Sequence, residues 1–332
     1  MLKNLPEPNI FLDNSIDYLH EAFSLAADFT QFDYDDFYFT NDKYDEEEFR
    51  IKNRVRINTI GLLVFTSIEN YLKYIICLES PFLLIADLST LKHTDTDFDK
   101  HYMHSFDDLL KIYTSLYEDS YNSKIKTKFD SLKESRNHFI HGTGTKNLDL
   151  KQTLMLAYDF IFNIWNKNTP HLHRTFFDYI AERTEVAWGE YEDKDNIISV
   201  LSYDEDIPHS KLLRIYQILL HFLGKNKALQ ILNLKNKANY LGCAICSNES
   251  YYMPLIKKVN FAIKIRKNNI DYAQCQLCFC SVAINSFILF GFESVITTEY
   301  RYKNRYQNII NPNIYFKLYE DNLNIISIQQ LN

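Results

Sequence analysis

Glycine is scarce in this chain: seven residues in 332, scattered along its length. Neither the glycine loop of P-loop nucleotide hydrolases nor the G-x-G-x-x-G turn of dinucleotide-binding folds can be built from them. An apolar leader is missing too. The opening Met-Leu-Lys-Asn-Leu-Pro-Glu has no hydrophobic core of the kind a signal peptide carries, and the expectation is a cytoplasmic protein. The one long stretch without charge, residues 272–292, is interrupted by Gln274, Gln276, Ser281, Asn285, Ser286 and three cysteines. A spanning helix needs about 20 predominantly apolar residues. This stretch therefore reads as the strand pair of a metal site, and no membrane partner is expected.

What remains is an ordinary globular composition, 46% hydrophobic, 15% aromatic and 24% charged, which excludes disorder and collagen-like repeats. The length suits two domains. The formal charge of −7 conceals a division along the chain. Residues 1–206 carry 21 Lys/Arg against 37 Asp/Glu, and residues 207–332 carry 15 against 6. The change falls at the polar Asp204-Glu205-Asp206-Ile207-Pro208, which reads as a boundary. An acidic 1–206 domain is thus expected before a basic 207–332 domain, with polyanions engaged mainly by the latter.

The first domain reads as helices. Residues 13–29 place Ile16, Leu19, Phe23 and Ala27 at helical spacing. The acidic, aromatic run from Asp33 to Glu48 reads as a solvated loop and helix start. Residues 49–78 carry two apolar stripes, Ile57-Ile60-Val64-Ile68-Tyr71-Ile75 and Leu62-Phe65-Leu72-Ile76. A helix apolar on two sides belongs in the middle of a bundle. Glu69 falls among those stripes, and a buried carboxylate needs a partner. Further helices are expected over 106–116, 123–141, 149–166 and 175–188. The fold class is mainly α: an antiparallel helical bundle followed by a smaller α+β zinc-ribbon domain.

The segment 123–141 carries the chemistry. Gly142 follows it as a natural helix C-terminal residue. Its apolar stripe runs Ile125, Phe129, Leu132, then Arg136, then Phe139 and Ile140, so an arginine has taken a core position. Asn137 and His141, four apart, stack on one face. Arg136 and His141 are about 140° apart around the axis, with Asn137 between. A guanidinium, an amide and an imidazole near one helix end suit phosphodiester chemistry. The guanidinium neutralises phosphorane charge, and the imidazole moves a proton at near-neutral pH.

Arg136-Asn137-x-x-x-His141 resembles the R-x4-H signature of HEPN-domain ribonucleases. The segments Val64-Phe65-Thr66-Ser67-Ile68-Glu69-Asn70-Tyr71-Leu72 and Ser105-Phe106-Asp107-Asp108-Leu109-Leu110 fit the same resemblance, which covers roughly residues 50–170. The resemblance implies a homodimeric helical bundle that cuts RNA without a catalytic metal, serving as a toxin or in abortive infection against phage. Arg136 and His141 would be catalytic, with Asn137 and Glu69 holding them, and a regulatory or antitoxin protein would be a partner. Family members silenced by a nucleotidyltransferase antitoxin commonly carry Tyr two residues after the His. Thr143 stands there in this chain, which argues against that mode of control. His138 reads as a supporting residue. The competing reading is a non-catalytic nucleic-acid- or protein-binding adaptor with a degenerate bundle, in which Arg136 and Glu69 form a buried ion pair.

Five of the six cysteines cluster in the second domain as Cys243-x2-Cys246, 28 intervening residues, Cys275-x2-Cys278, and then Cys280. Two such pairs have the spacing of a four-thiolate zinc ribbon, Cys243, Cys246, Cys275 and Cys278 closing one tetrahedral site. Cys280 could replace Cys278. Four thiolates leave no open coordination position, so the zinc is expected to be structural. Cys77, the sixth cysteine, reads as core packing in the long helix. Between the pairs, Phe261-Ala262-Ile263-Lys264-Ile265-Arg266-Lys267 alternates apolar and basic as a strand does. Farther on, Tyr300-Arg301-Tyr302-Lys303-Asn304-Arg305-Tyr306 interleaves aromatics and cations. His171 and His173 read as surface residues.

Overall fold

The computed structural model describes residues 2–30, 51–90, 96–117, 127, 130, 133–134, 137, 149–165, 176–183, 190–191, 211–234, 246, 261–283, 301–304, 307–311, 314–318 and 323–325. Among these the chain is mainly helical, with small sheets besides. It divides into two compact units. One comprises Met1–Ala26 and Glu46–Arg183, the other Ala27–Asp45 and Thr184–Asn332. The acidic run 33–48 lies outside the described residues, as do His138, Thr143, His171 and His173.

In the first unit, helix α1 (Pro8–Ala27) opens on a proline, whose fixed φ and missing N–H cost nothing at a helix start. Ile16, Leu19, Phe23 and Ala27, the stripe expected from the spacing, are all buried. Helix α2 (Arg54–Glu79) is the core element. Its first stripe is buried throughout, and of the second only Leu62 stays half-exposed. It is the one described helix long and apolar enough to cross a membrane, yet 67% of its apolar window is packed inside the protein. The helix stops at Ser80, which turns to extended backbone ahead of Pro81 and accepts a hydrogen bond from the Phe82 N–H at 3.3 Å. Where α1 meets α2, small hydroxyl residues let the backbones approach. Ser67 Oγ donates to the Ser15 carbonyl at 2.7 Å and lies 3.2 Å from Ser15 Oγ, so neither buried hydroxyl is orphaned.

Helix α3 (Phe106–Leu116) starts where its cap dictates. The Asp108 N–H donates to Ser105 Oγ at 3.4 Å, and Ser105 Oγ donates to the Asp108 carboxylate at 2.7 Å. Phe106 packs on Phe65 of α2 with ring centroids 4.5 Å apart. Helix α4 (Leu150–Phe160) is capped by Asp149 and widens into a π turn, Ile161–Trp165. That turn stacks Trp165 on Tyr71 at 4.6 Å and sets it edge-on to Phe160 and to Phe176 of helix α5 (Phe176–Arg183). Arg183 ties α5 back to α1 through Asp17 at 2.5 Å and Asp13 at 3.4 Å.

The second unit contains helices α6 (Lys211–Leu223) and α7 (Lys225–Ile231), joined by Gly224 at φ +79°. Tyr216 on α6 meets Phe261 edge-on at 5.1 Å, and burial pushes its phenol up to about 12. The first unit carries the parallel pair β1 (Leu2–Lys3) and β2 (Thr96–Asp97). In the second, Phe261 leads into a sheet of β4 (Ala262–Lys267), β5 (Ile270–Cys275), β6 (Ser281–Ala283) and β3 (Glu190–Tyr191), in spatial order β3-β6-β5-β4. The expected strand over the alternating apolar and basic residues is β4, and the uncharged stretch begins with the β5–β6 pair. A second sheet is an antiparallel meander, β7 (Arg301–Asn304), β8 (Gln307–Asn311), β9 (Ile314–Leu318) and β10 (Leu323–Ile325).

Candidate functional site

Two places were expected to carry chemistry, the end of the 123–141 segment and the cysteine pairs. The described residues of that segment, Thr127, Asp130, Lys133, Glu134 and Asn137, are all helical. Thr127, Asp130, Glu134 and Asn137 are exposed, and Lys133 is half-buried. This matches a helix with one outward face, because positions spaced three and four apart share a side. Lys133 forms an ion pair with Asp107 in the first turn of α3, which fastens the segment to that helix. Arg136 and His141 lie outside the described residues. Asn137 is therefore the motif member whose position is known, on the outward side. Asp130 and Glu134, one turn apart, share that side with it.

Glu69 is paired along its own helix. Its carboxylate is 24% exposed and accepts a 2.8 Å hydrogen bond from Lys73 Nζ, one turn along α2. The charge that needed a partner is compensated on its own helix, a Glu-to-Lys pair at the spacing that favours it. Neighbouring Asn70 donates to the Thr66 carbonyl at 2.8 Å. Of the four residues expected to form the catalytic set, then, Glu69 is paired with Lys73 and Asn137 is outward-facing. Cys77 is buried in α2 as expected, and burial pushes its thiol up.

Near the amino end of α3, the Lys111 ammonium and the Ser105 hydroxyl hold the Asp108 carboxyl below its ordinary value. Tyr117, whose hydroxyl donates to Glu79 at 2.7 Å, is pushed up to about 12 by burial and then by that carboxylate. The first set lies within α3 and its cap, and the second ties the end of α3 to the end of α2.

The cysteine site is more fully drawn. Cys275 ends β5, and its sulfur accepts a hydrogen bond from the Leu277 N–H at 3.3 Å. The chain then bends through Phe279, which takes a left-handed φ of +61°, so that the Cys275 N–H reaches the Cys280 carbonyl at 2.9 Å. This tight return brings Cys278 back beside Cys275, and Cys246 approaches from helical backbone. The three sulfurs lie within 4.8 Å of one another, and all three residues are fully buried. Cys246 Sγ and Cys275 Sγ are 3.7 Å apart. That is far too long for a disulfide. It matches the edge of a tetrahedron of thiolates about 2.3 Å from a central zinc, which is about 3.8 Å. The donor set therefore fits a thiophilic metal. Cys280, equally buried, does not belong to the group of three. Cys243 lies outside the described residues.

Nothing local in the sequence announces the Lys133–Asp107 pair, whose members lie 26 residues apart. The Glu69–Lys73 pair was legible, since a Glu followed four residues later by a Lys on a helix is a local signal. Comparison with protein-family models, with curated proteins and with solved structures gives no match to this chain.

Proposed function

We propose that the chain is a metal-independent endoribonuclease of the HEPN type, a toxin or antiphage effector, acting as a homodimer and carrying a structural zinc in its second unit. The observation that carries this reading is the Arg136-Asn137-x-x-x-His141 motif, set just before Gly142. Its support is that Asn137 is helical and turned to solvent, where a substrate can reach it. By spacing, His141 follows one turn later on that side, while Arg136 belongs to the apolar stripe. Two such segments facing each other across a twofold axis would place both Arg136–His141 sets over one phosphate.

In this reading the substrate's own 2′-hydroxyl attacks the adjacent phosphorus, already held beside it by the ribose. His141 takes or returns the proton, and Arg136 steadies the charge that develops on the phosphoryl oxygens. The O–P bond to the next nucleoside breaks, leaving a 2′,3′-cyclic phosphate and a free 5′-hydroxyl. Glu69 is a packing partner for Lys73 here, and Asn137 positions the imidazole. The zinc, held by Cys246, Cys275, Cys278 and a fourth thiolate from Cys243, would brace the second unit with no open coordination position.

Growth of a bacterial host expressing the protein tests the reading. Wild type should arrest growth, and His141→Ala should not. Equal arrest by both would overturn the assignment.

A further inference from the structure

The β4–β5 hairpin presents a basic surface that the nuclease reading does not use. Strand β4 lies at the edge of its sheet. Lys264 and Arg266 are 61% and 70% exposed, and Lys267 is also exposed. The turn is the shortest a hairpin allows. Lys267 pairs with Ile270, and Asn268 and Asn269 both take left-handed φ, +50° and +65°, as a two-residue type I′ turn requires. Asn268 and Asn269 are exposed too. A rigid strand thus ends in three cations and two amides. The other end of β5 is Cys275, so the hairpin grows directly from the cysteine site.

One acid stands in this group. Asp271 accepts from Lys264 Nζ at 2.8 Å and lies 3.9 Å from Arg266 Nε. The Lys264 ammonium holds its carboxyl below the usual value. Its single charge is shared between two cations, which it keeps side by side on one face, about 7 Å apart along the strand. That face keeps a net positive charge, its two cations spaced about as far apart as successive phosphates of an extended single strand, and Lys267 adds a third cation at the turn, on the other face by alternation.

We infer that the β4–β5 hairpin is a binding surface for the phosphate backbone of single-stranded nucleic acid, gripped through Lys264, Arg266 and Lys267. The choice of RNA as its ligand rests on the ribonuclease reading; the phosphate chemistry does not. A membrane surface would call for an apolar face beside the cations, and the exposed side chains here are cationic or amide. A protein interface would want an exposed aromatic or aliphatic centre, whereas Ile265 and Ile270 at this end are only half-exposed and the exposed side chains are cations and amides.

The test uses the full chain with His141→Ala, so that the probe survives, and fluorescence anisotropy with a labelled oligouridylate across a potassium chloride series. Each phosphate contact contributes about 0.7 to the slope of log K against log salt for single strands. Replacing Lys264, Arg266 and Lys267 together by Ala should reduce the slope by about 2 and weaken binding about 100-fold near 0.1 M salt. Asp271→Asn should tighten binding several-fold, a change of opposite sign that an unfolded hairpin cannot imitate. A single-stranded oligothymidylate should respond to the same substitutions. If the triple variant keeps the parent slope, or Asp271→Asn weakens binding, the inference is wrong. If phosphatidylserine vesicles bind and the oligonucleotides do not, the surface is a membrane contact and the inference also falls. Because binding is read without cleavage, loss of the nuclease reading would leave this result intact, and the reverse holds too.

Discussion

Replacing Cys275 by Ser should remove metal from the protein and unfold the second unit locally while sparing the first. The sulfur of Cys275 sits 3.7 Å from that of Cys246, accepts the Leu277 N–H, and ends a strand paired with both β4 and β6. A structural zinc bound by thiolates contributes about 10–16 kcal/mol of apparent free energy in small zinc domains at neutral pH. Whole domains are stable by only about 5–15 kcal/mol. A zinc held there would therefore contribute as much as the whole margin on which the β4–β6 sheet and its turn depend, and removing one ligand would weaken that hold. The Trp165–Tyr71 cluster and the α1–α2 contact lie in the other unit and share no residue with this site. The assay is elemental analysis of protein purified without chelator, paired with limited proteolysis. Wild type should carry about one zinc per chain and Cys275→Ser well below that. Cleavage should open new sites only within the second unit, Ala27–Asp45 and Thr184–Asn332. Cys280→Ser is the control: that cysteine is buried but lies outside the group of three, so the variant should keep its zinc. Zinc-free wild type, or equal zinc in Cys275→Ser, would refute the reasoning.

Three further substitutions probe the fold. Trp165→Ala empties the aromatic cluster formed with Tyr71, Phe160 and Phe176 and should cost about 3–5 kcal/mol in urea-induced unfolding followed by circular dichroism. Gly224→Ala meets no atom within 4 Å, so its cost should be the backbone strain of a positive φ alone, about 1–2 kcal/mol by the same measurement. Tyr216 titrates near 12 when folded and near 10 when unfolded. Between those values the folded state holds the extra proton, so stability is intact below pH 10 and falls as pH rises toward 12. Tyr216→Phe should lessen that alkaline loss in thermal melts recorded at stepped pH, and an unchanged slope would contradict the assignment.

Much of the helical unit was legible because its signals are local. Ser105 with Asp108 three residues on marks the start of α3, and the stripes from Ile16 to Ala27 and from Ile57 to Ile75 mark faces that burial then occupies. The two Cys-x-x-Cys pairs announced sulfurs that must converge, and three of them do. Other features depend on what lies across the fold. Nothing in the run from Ile161 to Trp165 distinguishes a π turn from an α-helical one; the packing of Trp165 on Tyr71 goes with the wider turn. The approach of Asp28–Thr30 to α6 is likewise a matter of long-range contacts, absent from any local pattern. Glu69 sits among the apolar stripes, and the Lys one turn along its own helix reaches its carboxylate.

The most direct measurement is cleavage of a single-stranded RNA, with product ends identified, in magnesium-free buffer containing EDTA over times too short to strip the zinc. The motif offers a cation, an amide and an imidazole, so wild type should cut RNA and leave the matching DNA intact, with fragments ending in 2′,3′-cyclic phosphate. His141→Ala should cut neither. The pH profile of wild type should turn on a group near the imidazole range of about 6.5. Dependence on added magnesium, or equal cutting of DNA, would contradict the account and shift attention to Asp130 and Glu134, the two carboxylates beside Asn137 on the outward face.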